Sequence, residues 1–316
     1  MRNGKRWSFL AIALIIIGFA GMAYQGFEFG DELPSYNQKL TFAKLNSLTI
    51  NSDYDVDVKF IKSPDGTDYI EVSGNMENET INKLKNADTS AKDFTLDMTR
   101  KLKWSFLQIN FQSDNQHITV ALADPAQLER FAVTLGANNG SFSELNAGNI
   151  DISGTSGNIK ANSVITNHLA IKYTSGNITA TDIKADTDIK LTSGDIKVTN
   201  LDGATSLQTT SGNVRADHVK GTTDVSLKSG NITFDHFTGN GTFKSTSGNI
   251  TLKNQRSDSL DISVLSGDIK LSSDPEFKGV YDLRTTSGDI QSPDSPMQTN
   301  DIIKVRATSG NIKIKN

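Results

Sequence analysis

The sequence predicts an all-β protein whose main part is a single-stranded β-solenoid (β-helix) with coils of about 18 residues. A β-rich N-terminal capping region and one transmembrane helix are predicted to precede the solenoid. Three observations support this. A short turn motif recurs at nearly constant spacing, the residues around each turn alternate between apolar and polar, and an unbroken apolar run follows a basic N-terminal tip. Such alternation is typical of half-buried strands, and such a period is typical of stacked repeats.

The N-terminal segment predicts a membrane anchor. Three basic residues precede an apolar run from residue 7 to residue 24, which is longer than the ~7 to 15 residues of a signal-peptide core and close to the ~20 residues that span a bilayer. Residues 1–29 are therefore interpreted as a cytoplasmic tip and anchor that contacts the lipid bilayer through residues 7–24. A signal peptide, with Gly21 and Ala23 at its cleavage site, is the alternative. The charge distribution predicts a single-pass protein of the cell membrane, with a cytoplasmic N-terminus and an extracytoplasmic solenoid.

Composition excludes several classes of function. The net charge is -4 and the lysines are scattered, so no nucleic-acid partner is predicted. Cysteine is absent, which excludes disulfides, thiol catalysis and Cys-ligated zinc. The nucleophile elbow, the zinc-protease helix motif and the phosphate loop are also missing from the sequence. The chain is therefore predicted not to be an enzyme, with no catalytic residues and no cofactor.

Residues 30–136 are predicted to form the capping region, because their strands lack the strict period of the rest. Solenoid ends need a cap against edge-to-edge association. The segment from Trp104 to Phe111 carries apolar residues on both faces, which indicates a buried strand or, alternatively, an aromatic ligand platform. The remaining strand segments are "SLTINS", "YDVDVKFI", "DYIEVSG", "DFTLDM" and "HITVALA", and "NETINKLKNA" predicts a short helix.

Residues 137–316 carry the repeat that predicts the solenoid. Ser-Gly followed by Asn or Asp and then Ile or Val recurs at steps of 19, 18, 18, 18, 18, 19, 21 and 22 residues. A second glycine series, at Gly203, Gly221 and Gly239, falls midway between the turns. The motif begins at Ser156, Ser175, Ser193, Ser211, Ser229, Ser247, Ser266, Ser287 and Ser309.

The Ser-Gly-Asn turn is compatible with two folds. Glycine adopts positive φ without a Cβ clash, and Asn or Asp tolerates left-handed geometry better than most residues. A type II′ hairpin, and hence an antiparallel meander, is one possibility. A meander would leave a large apolar sheet face uncovered, since the region contains no amphipathic helix. In a solenoid the two strands of each coil face each other and their apolar residues meet inside, so the solenoid is the prediction.

The Asn or Asp of each turn is expected to form a ladder along the solenoid. Coils stack at ~4.8 Å, and Asn above Asn can share amide hydrogen bonds. Asp268 and Asp289, in consecutive motifs, are expected to stack as two repelling carboxylates. A weak Ca²⁺ site is one interpretation of this pair and a solvated edge is the other. The glycine-rich calcium motif of other solenoids is missing.

A repeated Asp-His pair is the second candidate metal site. Asp217-His218 and Asp235-His236 are expected to stack in adjacent coils. Two imidazoles with two carboxylates suit a transition metal or a pH response. The alternative is a plain polar corner, because Asn occupies this position in the coils before and after.

The last motif unit is expected to form the far end of the rod. Lys313 and Lys315, in "NIKIKN", would discourage pairing with another chain there. Nine motif units at ~4.8 Å each predict a rod on the order of 40 Å long.

The chain resembles a known family. A basic tip and one membrane span, strands leading into "HITVALADPAQLERFAVTLGANNGSFSEL", and serial "TSGNI" or "TSGDI" coils are similar to the LiaG-like proteins of the putative-adhesin domain family of unknown function, found mostly in bacteria. The resemblance covers most of residues 35–316. It implies a β-solenoid on the outer side of the membrane and, for the LiaG-like members of Gram-positive bacteria, association with envelope-stress loci. It supplies no catalytic residues.

Three functions are compatible with these features. The first is a non-enzymatic, membrane-anchored extracytoplasmic protein of the bacterial cell envelope, acting in adhesion or the envelope-stress response, whose solenoid flank binds a cell-wall polymer or another surface. The second is an accessory partner of a stress-sensing membrane system, which would bind a membrane protein through the anchor or the capping region. The third is a carbohydrate-active β-helix enzyme. The first is the prediction.

Overall fold

A computed structural model describes residues 33–100 and 115–315. The predicted anchor, residues 7–24, and the aromatic segment, residues 104–111, lie outside these ranges. Within them, no helix has both the length and the apolar character needed to cross a membrane.

The described residues form strands almost throughout, with one α-helix and one short 3₁₀ helix. All five strand segments quoted above are strands, and the predicted short helix is present. The elements are β1 (Ser35–Phe42), β2 (Ser47–Ser52), β3 (Asp55–Lys62), β4 (Asp68–Asn75), α1 (Asn78–Lys85), β5 (Asp93–Met98), β6 (Asn115–Leu122), the 3₁₀ helix (Pro125–Gln127), β7 (Arg130–Leu135), β8 (Gly140–Asn146), β9 (Asn149–Ser156), β10 (Ile159–Ser175), β11 (Ile178–Ser193), β12 (Ile196–Asp202), β13 (Thr205–Ser211), β14 (Val214–Lys220), β15 (Thr223–Ser229), β16 (Ile232–Thr238), β17 (Gly241–Ser247), β18 (Ile250–Lys253), β19 (Leu260–Ser266), β20 (Ile269–Ser272), β21 (Val280–Ser287), β22 (Ile290–Gln291), β23 (Ile302–Ser309) and β24 (Ile312–Lys315).

The repeat region is a parallel β-solenoid, as predicted. β12 pairs in parallel with β14, and β14 with β16, while β13 pairs in parallel with β15, and β15 with β17. Each coil therefore contributes one strand to each of two ladders. The long strands β10 and β11 take part in both ladders. An antiparallel meander would pair consecutive strands in opposite directions, so these parallel registers exclude it.

Stacking of like residues builds the core. Ile196, Val214 and Ile232 occupy equivalent positions in successive coils and have no exposed surface. Phe234, Phe237 and Phe243 (ring centroids 5.1 to 5.9 Å apart, edge to face) fill the middle of the solenoid. Because the apolar residues of both strands point inward, the core needs no covering helix.

The turn glycines are required by the close approach of neighbouring coils as well as by φ. Gly212 and Gly230 have φ of 132° and 133°, and a Cβ on Gly230 would lie 1.9 Å from the carbonyl oxygen of Gly212. The Asn or Asp that follows the glycine has no positive φ in any described turn. Tolerance of left-handed geometry is therefore the wrong explanation for these residues.

Asn and Asp are needed at the turn as hydrogen-bond acceptors. The backbone N–H of Asn213 donates to Asp195 Oδ1 at 2.8 Å, and that of Asn231 donates to Asn213 Oδ1 at 3.1 Å. Amide sharing between side chains is also present, since Asn177 Nδ2 donates to Asn158 Oδ1 at 3.1 Å. This turn ladder gives the N–H at each corner an acceptor in the neighbouring coil. Any short side chain with a carbonyl or carboxylate oxygen can accept this hydrogen bond, so either Asn or Asp is suitable at each turn.

The two ladders continue into the N-terminal region. β2 pairs in parallel with β5 and β7, and β3 pairs in parallel with β6 and β8. The antiparallel strands β1 and β4 lie on the outer side of β6, and α1 packs against β5. The domain limit between residues 136 and 137 stays a prediction, and both ladders cross it.

At the other end, the last motif unit is inserted between two earlier ones. β23 pairs with both β19 and β21, and β24 pairs with both β20 and β22. The coil of β21 and β22 is therefore the outermost one, and the expectation that Lys313 and Lys315 mark the end of the rod is wrong. Burial explains the order: Ile312 and Ile314 are buried, whereas Ile290 in the outermost coil is 42 % exposed.

Gly230→Ala tests the close approach of coils. We expect it to lower the free energy of unfolding by ~3 kcal/mol or more, because strained φ is combined with a backbone clash. Gly66→Ala is the matched control, since Gly66 has φ of 74° and no atom within 4 Å of its added Cβ; it should cost only ~1 to 2 kcal/mol. Urea unfolding of the full chain, followed by circular dichroism, measures both. Equal losses would contradict the contact argument.

Asp195→Asn tests the charge of the turn ladder. The backbone N–H of Asn213 and, less strongly, Arg215 hold the pKa of Asp195 below its usual value, against burial, which raises it. A depressed pKa contributes stability above the ordinary Asp value of ~3.9, and this contribution is lost as the pH falls through the folded-state pKa. Because Asp195 and Arg215 are both well exposed, the variant should lose only ~0.5 to 1 kcal/mol at pH 7 and less than that at pH 3.

The measurement is the urea midpoint of wild type and variant at both pH values. Asp224→Asn is the control, since Asp224 is exposed in β15 and lies outside the turn ladder. A destabilisation by Asp195→Asn that is the same at pH 7 and pH 3 would show that the carboxylate charge contributes nothing.

Candidate functional site

One flank of the solenoid is formed by residues in left-handed conformation. In the second strand of successive coils one residue has φ between 48° and 57°. This residue and the one before it both face outward. In β14, for example, the residues on either side of this pair, Ala216 and Val219, therefore both point into the core. We call this series the bulge column; it consists of Glu144, Ser163, Asp182, Asn200, His218, His236 and Asn254.

The bulge column brings the predicted Asp-His pairs together. The imidazoles of His218 and His236 stack with centroids 4.4 Å apart and an interplanar angle of 12°. Asp217 Oδ1 lies 2.9 Å from His218 Nδ1 and 3.3 Å from His236 Nδ1, and Asp235 Oδ1 lies 3.1 Å from His236 Nδ1. Side chains of all four residues are between 37 % and 57 % exposed. Two carboxylates and two imidazoles therefore converge at a solvent-accessible position.

The electrostatics of this cluster centre on Asp217. Burial raises the pKa of the Asp217 carboxyl, but hydrogen bonds from His236 and His218 together outweigh it and hold this pKa below its usual value. Asp217 is thus an ionised acceptor shared by two imidazoles from adjacent coils.

The polar-corner interpretation also describes this column. Asn200 Nδ2 donates to Asp182 Oδ1 at 2.7 Å, and Asn254 Nδ2 donates to Asp235 Oδ1 at 2.8 Å. Each of these bonds links one coil to the previous one. The column is a general site of coil-to-coil polar contacts, and the two histidines distinguish its central part chemically.

Asp268 and Asp289 do not form the expected carboxylate stack. Asn311 lies between them in the turn ladder: its N–H donates to Asp268 Oδ1 at 2.9 Å, and its Oδ1 accepts from the N–H of Asp289 at 2.9 Å. The expectation is wrong because the inserted coil of β23 and β24 separates the two residues. An amide between the carboxylates removes the repulsion that suggested a Ca²⁺ ion.

A groove beside the bulge column was not predicted. It encloses about 810 Å³ and follows one ladder from β3 to β14. Ile165, 54 % exposed, projects at its side. The apolar lining includes Phe60, Leu122, Leu145, Ile183 and Leu201, and the polar lining includes Lys59, Lys62, Glu144, Asp182, Lys184, Asp202 and Lys220.

Sequence periodicity contained only part of the signal for this groove. One position of the repeat, two residues after the bulge column, is occupied in successive coils by Ile165, Lys184, Asp202 and Lys220. The apolar Ile165 is unusual there, because the other three residues are charged. The left-handed bulge was not recognised, however, and β3 joins the groove by a pairing that is out of chain order.

The chain is similar to several solved structures and to one protein family. The solved structures that are similar include a "putative adhesin" from Bacteroides fragilis, with 12% identity, 74% of this chain and 97% of that chain covered and a TM-score of 0.38. A "putative adhesin" from Parabacteroides merdae has 14% identity, coverage of 88% and 96%, and a TM-score of 0.33. A "putative lipid binding protein" from Parabacteroides distasonis has 16% identity, coverage of 89% and 97%, and a TM-score of 0.35. None of the curated proteins matches the chain.

The family comparison covers most of the solenoid. The model of the Toastrack DUF4097 family matches residues 45–233 and 205–315. The predicted resemblance to a putative-adhesin domain family of unknown function is confirmed, and the LiaG-like subgroup stays a prediction. The chain belongs to the Toastrack DUF4097 family.

Proposed function

We propose that this chain is a non-enzymatic, membrane-anchored, extracytoplasmic scaffold that binds an extended polymer of the bacterial cell wall along its flank groove. The groove is the observation that carries the proposal. Residues 7–24 would fix the base to the membrane, and the stacked coils would hold the groove away from the bilayer. Such an attachment suits a role in adhesion or in the response to envelope stress.

The shape of the groove supports an elongated ligand. From β3 to β14 it passes five coil-to-coil steps, which at ~4.8 Å each give a length of about 24 Å. Its volume of about 810 Å³ is within the range of ligand sites. The backbone repeats from one coil to the next although the lining side chains differ, so an extended polymer would meet one set of weak contacts per coil, and these contacts would add up to useful affinity.

The chemistry of the groove favours a polymer without strong net charge. The apolar residues at its base are almost fully buried, Ile165 is exposed at its side, and Lys184, Asp202 and Lys220 alternate in sign along that side. A polyanion would meet three carboxylates beside the four ammonium groups of the lining. The sugar rings of wall glycans combine apolar faces with polar edges, which matches an exposed apolar side chain, Ile165, beside side chains of alternating charge.

Ile165→Lys tests the groove. We expect it to weaken binding to purified peptidoglycan sacculi ~10-fold or more, equivalent to ~1.4 kcal/mol, because it replaces an apolar contact by a charge. Leu265→Lys is the matched control: Leu265 is also 54 % exposed but lies outside the groove lining. The full chain in mild detergent is sedimented with sacculi, and bound protein and soluble sugar are both measured.

Each outcome of this experiment bears on the proposal. Saturable sedimentation that Ile165→Lys weakens and Leu265→Lys does not would support it. Equal effects of the two variants would contradict the groove as the binding surface. Wild type that stays in solution would overturn polymer binding and favour an accessory partner of a membrane system. Release of sugar would overturn the non-enzymatic assignment.

The anchor is tested separately in cells. We expect the full chain with a C-terminal epitope to remain in the membrane fraction after alkaline extraction, because the run of residues 7–24 is long enough to span a bilayer. The epitope should be digested by protease added outside intact protoplasts. Replacing two apolar residues of the run, Leu14 and Ile16, by Lys should release the protein from the membrane. Release of the wild type from the membrane by alkaline extraction, or an epitope that is protected from protease, would contradict the proposed topology.

A further inference from the structure

We infer that Asp217, His218 and His236 form a binding site for a divalent first-row transition metal ion. Zn²⁺ is the ion that would occupy this site. The inference does not depend on the proposed function. One donor atom from each of the three residues lies within 4.8 Å of the others. The site bridges two coils, since His218 belongs to β14 and His236 to β16.

Two of the three donor distances are already suitable for a tetrahedral ion. Zinc binds imidazole nitrogen and carboxylate oxygen at ~2.0 to 2.2 Å, so neighbouring donors around the ion lie ~3.3 Å apart. Asp217 Oδ1 lies 2.9 Å from His218 Nδ1 and 3.3 Å from His236 Nδ1. Each Nδ1 now faces the carboxylate as a hydrogen-bonding atom. Because the two rings are stacked nearly parallel, each must turn on metal binding to point its Nδ1 lone pair at the ion; Nε2 then carries the ring proton.

A fourth donor is within reach. Asp235 Oδ1 lies 3.1 Å from His236 Nδ1 and is held in place by the side-chain amide of Asn254. Lys253 is in register with Asp235 in the next coil. Water fills the position when Asp235 does not bind, because the cluster is open to solvent. This arrangement gives two imidazoles and one or two carboxylates.

The donor set determines the class of ion. Ca²⁺ and Mg²⁺ prefer oxygen ligands alone, and soft ions such as Cu(I) prefer thiolates, which this chain lacks. Two imidazoles with carboxylate suit Zn²⁺, Ni²⁺ and Cu²⁺. The backbone prepares the site, since φ of 54° and 52° at His218 and His236 aims both rings to the same side.

The stacked geometry is specific to this part of the bulge column. Asn200 and Asn254 occupy the equivalent positions of the neighbouring coils and supply a hydrogen-bonding amide in place of an imidazole. They also show that Asn is accepted at this left-handed position, where Asn is favoured. His236→Asn therefore removes one metal ligand while keeping the backbone conformation.

Titration calorimetry of the tag-free full chain with Zn²⁺ tests the inference. We expect one site per chain with micromolar affinity, weakened ~10-fold or more in His236→Asn and in Asp217→Asn. His117→Asn is the matched control, because His117 also faces a carboxylate, Asp57, at 3.4 Å but has no second imidazole beside it. Binding should weaken as the pH is lowered, since protons compete for the ligand nitrogens.

Co²⁺ provides a second readout that does not depend on heat. Its visible absorption should intensify on binding to the wild type and to His117→Asn, and should not change with His236→Asn. Urea unfolding checks that the variants are folded. Zn²⁺ should raise the urea midpoint of the wild type and of His117→Asn, which bind it, and should leave the midpoint of His236→Asn unchanged. Absence of saturable Zn²⁺ binding, or binding that His236→Asn leaves unchanged, would overturn the inference.

Discussion

The short and constant distance between coils is the constraint on which the rest of the structure depends. Where the chain turns its corner, the carbonyl oxygen of one glycine lies where a side chain of the next would begin, as between Gly212 and Gly230. Glycine at the corner, an acceptor on the following residue, and apolar residues of similar size at each level all follow from this spacing. The repeated motif is thus the local expression of one interaction between neighbouring coils.

The same constraint explains how much the sequence could predict. The alternation around each turn and the 18- to 19-residue steps from Ser156 to Ser266 were sufficient for the solenoid, because each coil there stacks on the one before it in the chain. The adjacency of His218 and His236 followed from the same period. Sequence reasoning failed where order in space departs from order in the chain. Asp268 and Asp289 are consecutive in the motif series, yet Asn311 lies between them.

Local conformation was the other source of error. Periodicity shows which residues face inward, but it does not show that one outward residue per coil is left-handed. The bulge at His218 restores the phase of the apolar pattern, so that a simple alternation and a bulged strand look similar over a few residues. The flank groove depends on this bulge and on the pairing of β3 with β8. Neither feature has a strong signature in a single sequence.

The inserted coil of β23 and β24 makes folding at this end non-sequential. A ribosome releases residues 280–291 before residues 302–315, so the outer coil exists before the layer that must separate it from β19 and β20. It must either wait unpaired or first occupy a level that it later gives up. Vectorial growth, in which each new coil is templated by the last, therefore stops at Ser272. Beyond that point the solenoid is completed by an interleaving step, and a nascent chain that has not reached residue 315 exposes the β-edge of β19 and β20, which β23 and β24 cover in the finished fold.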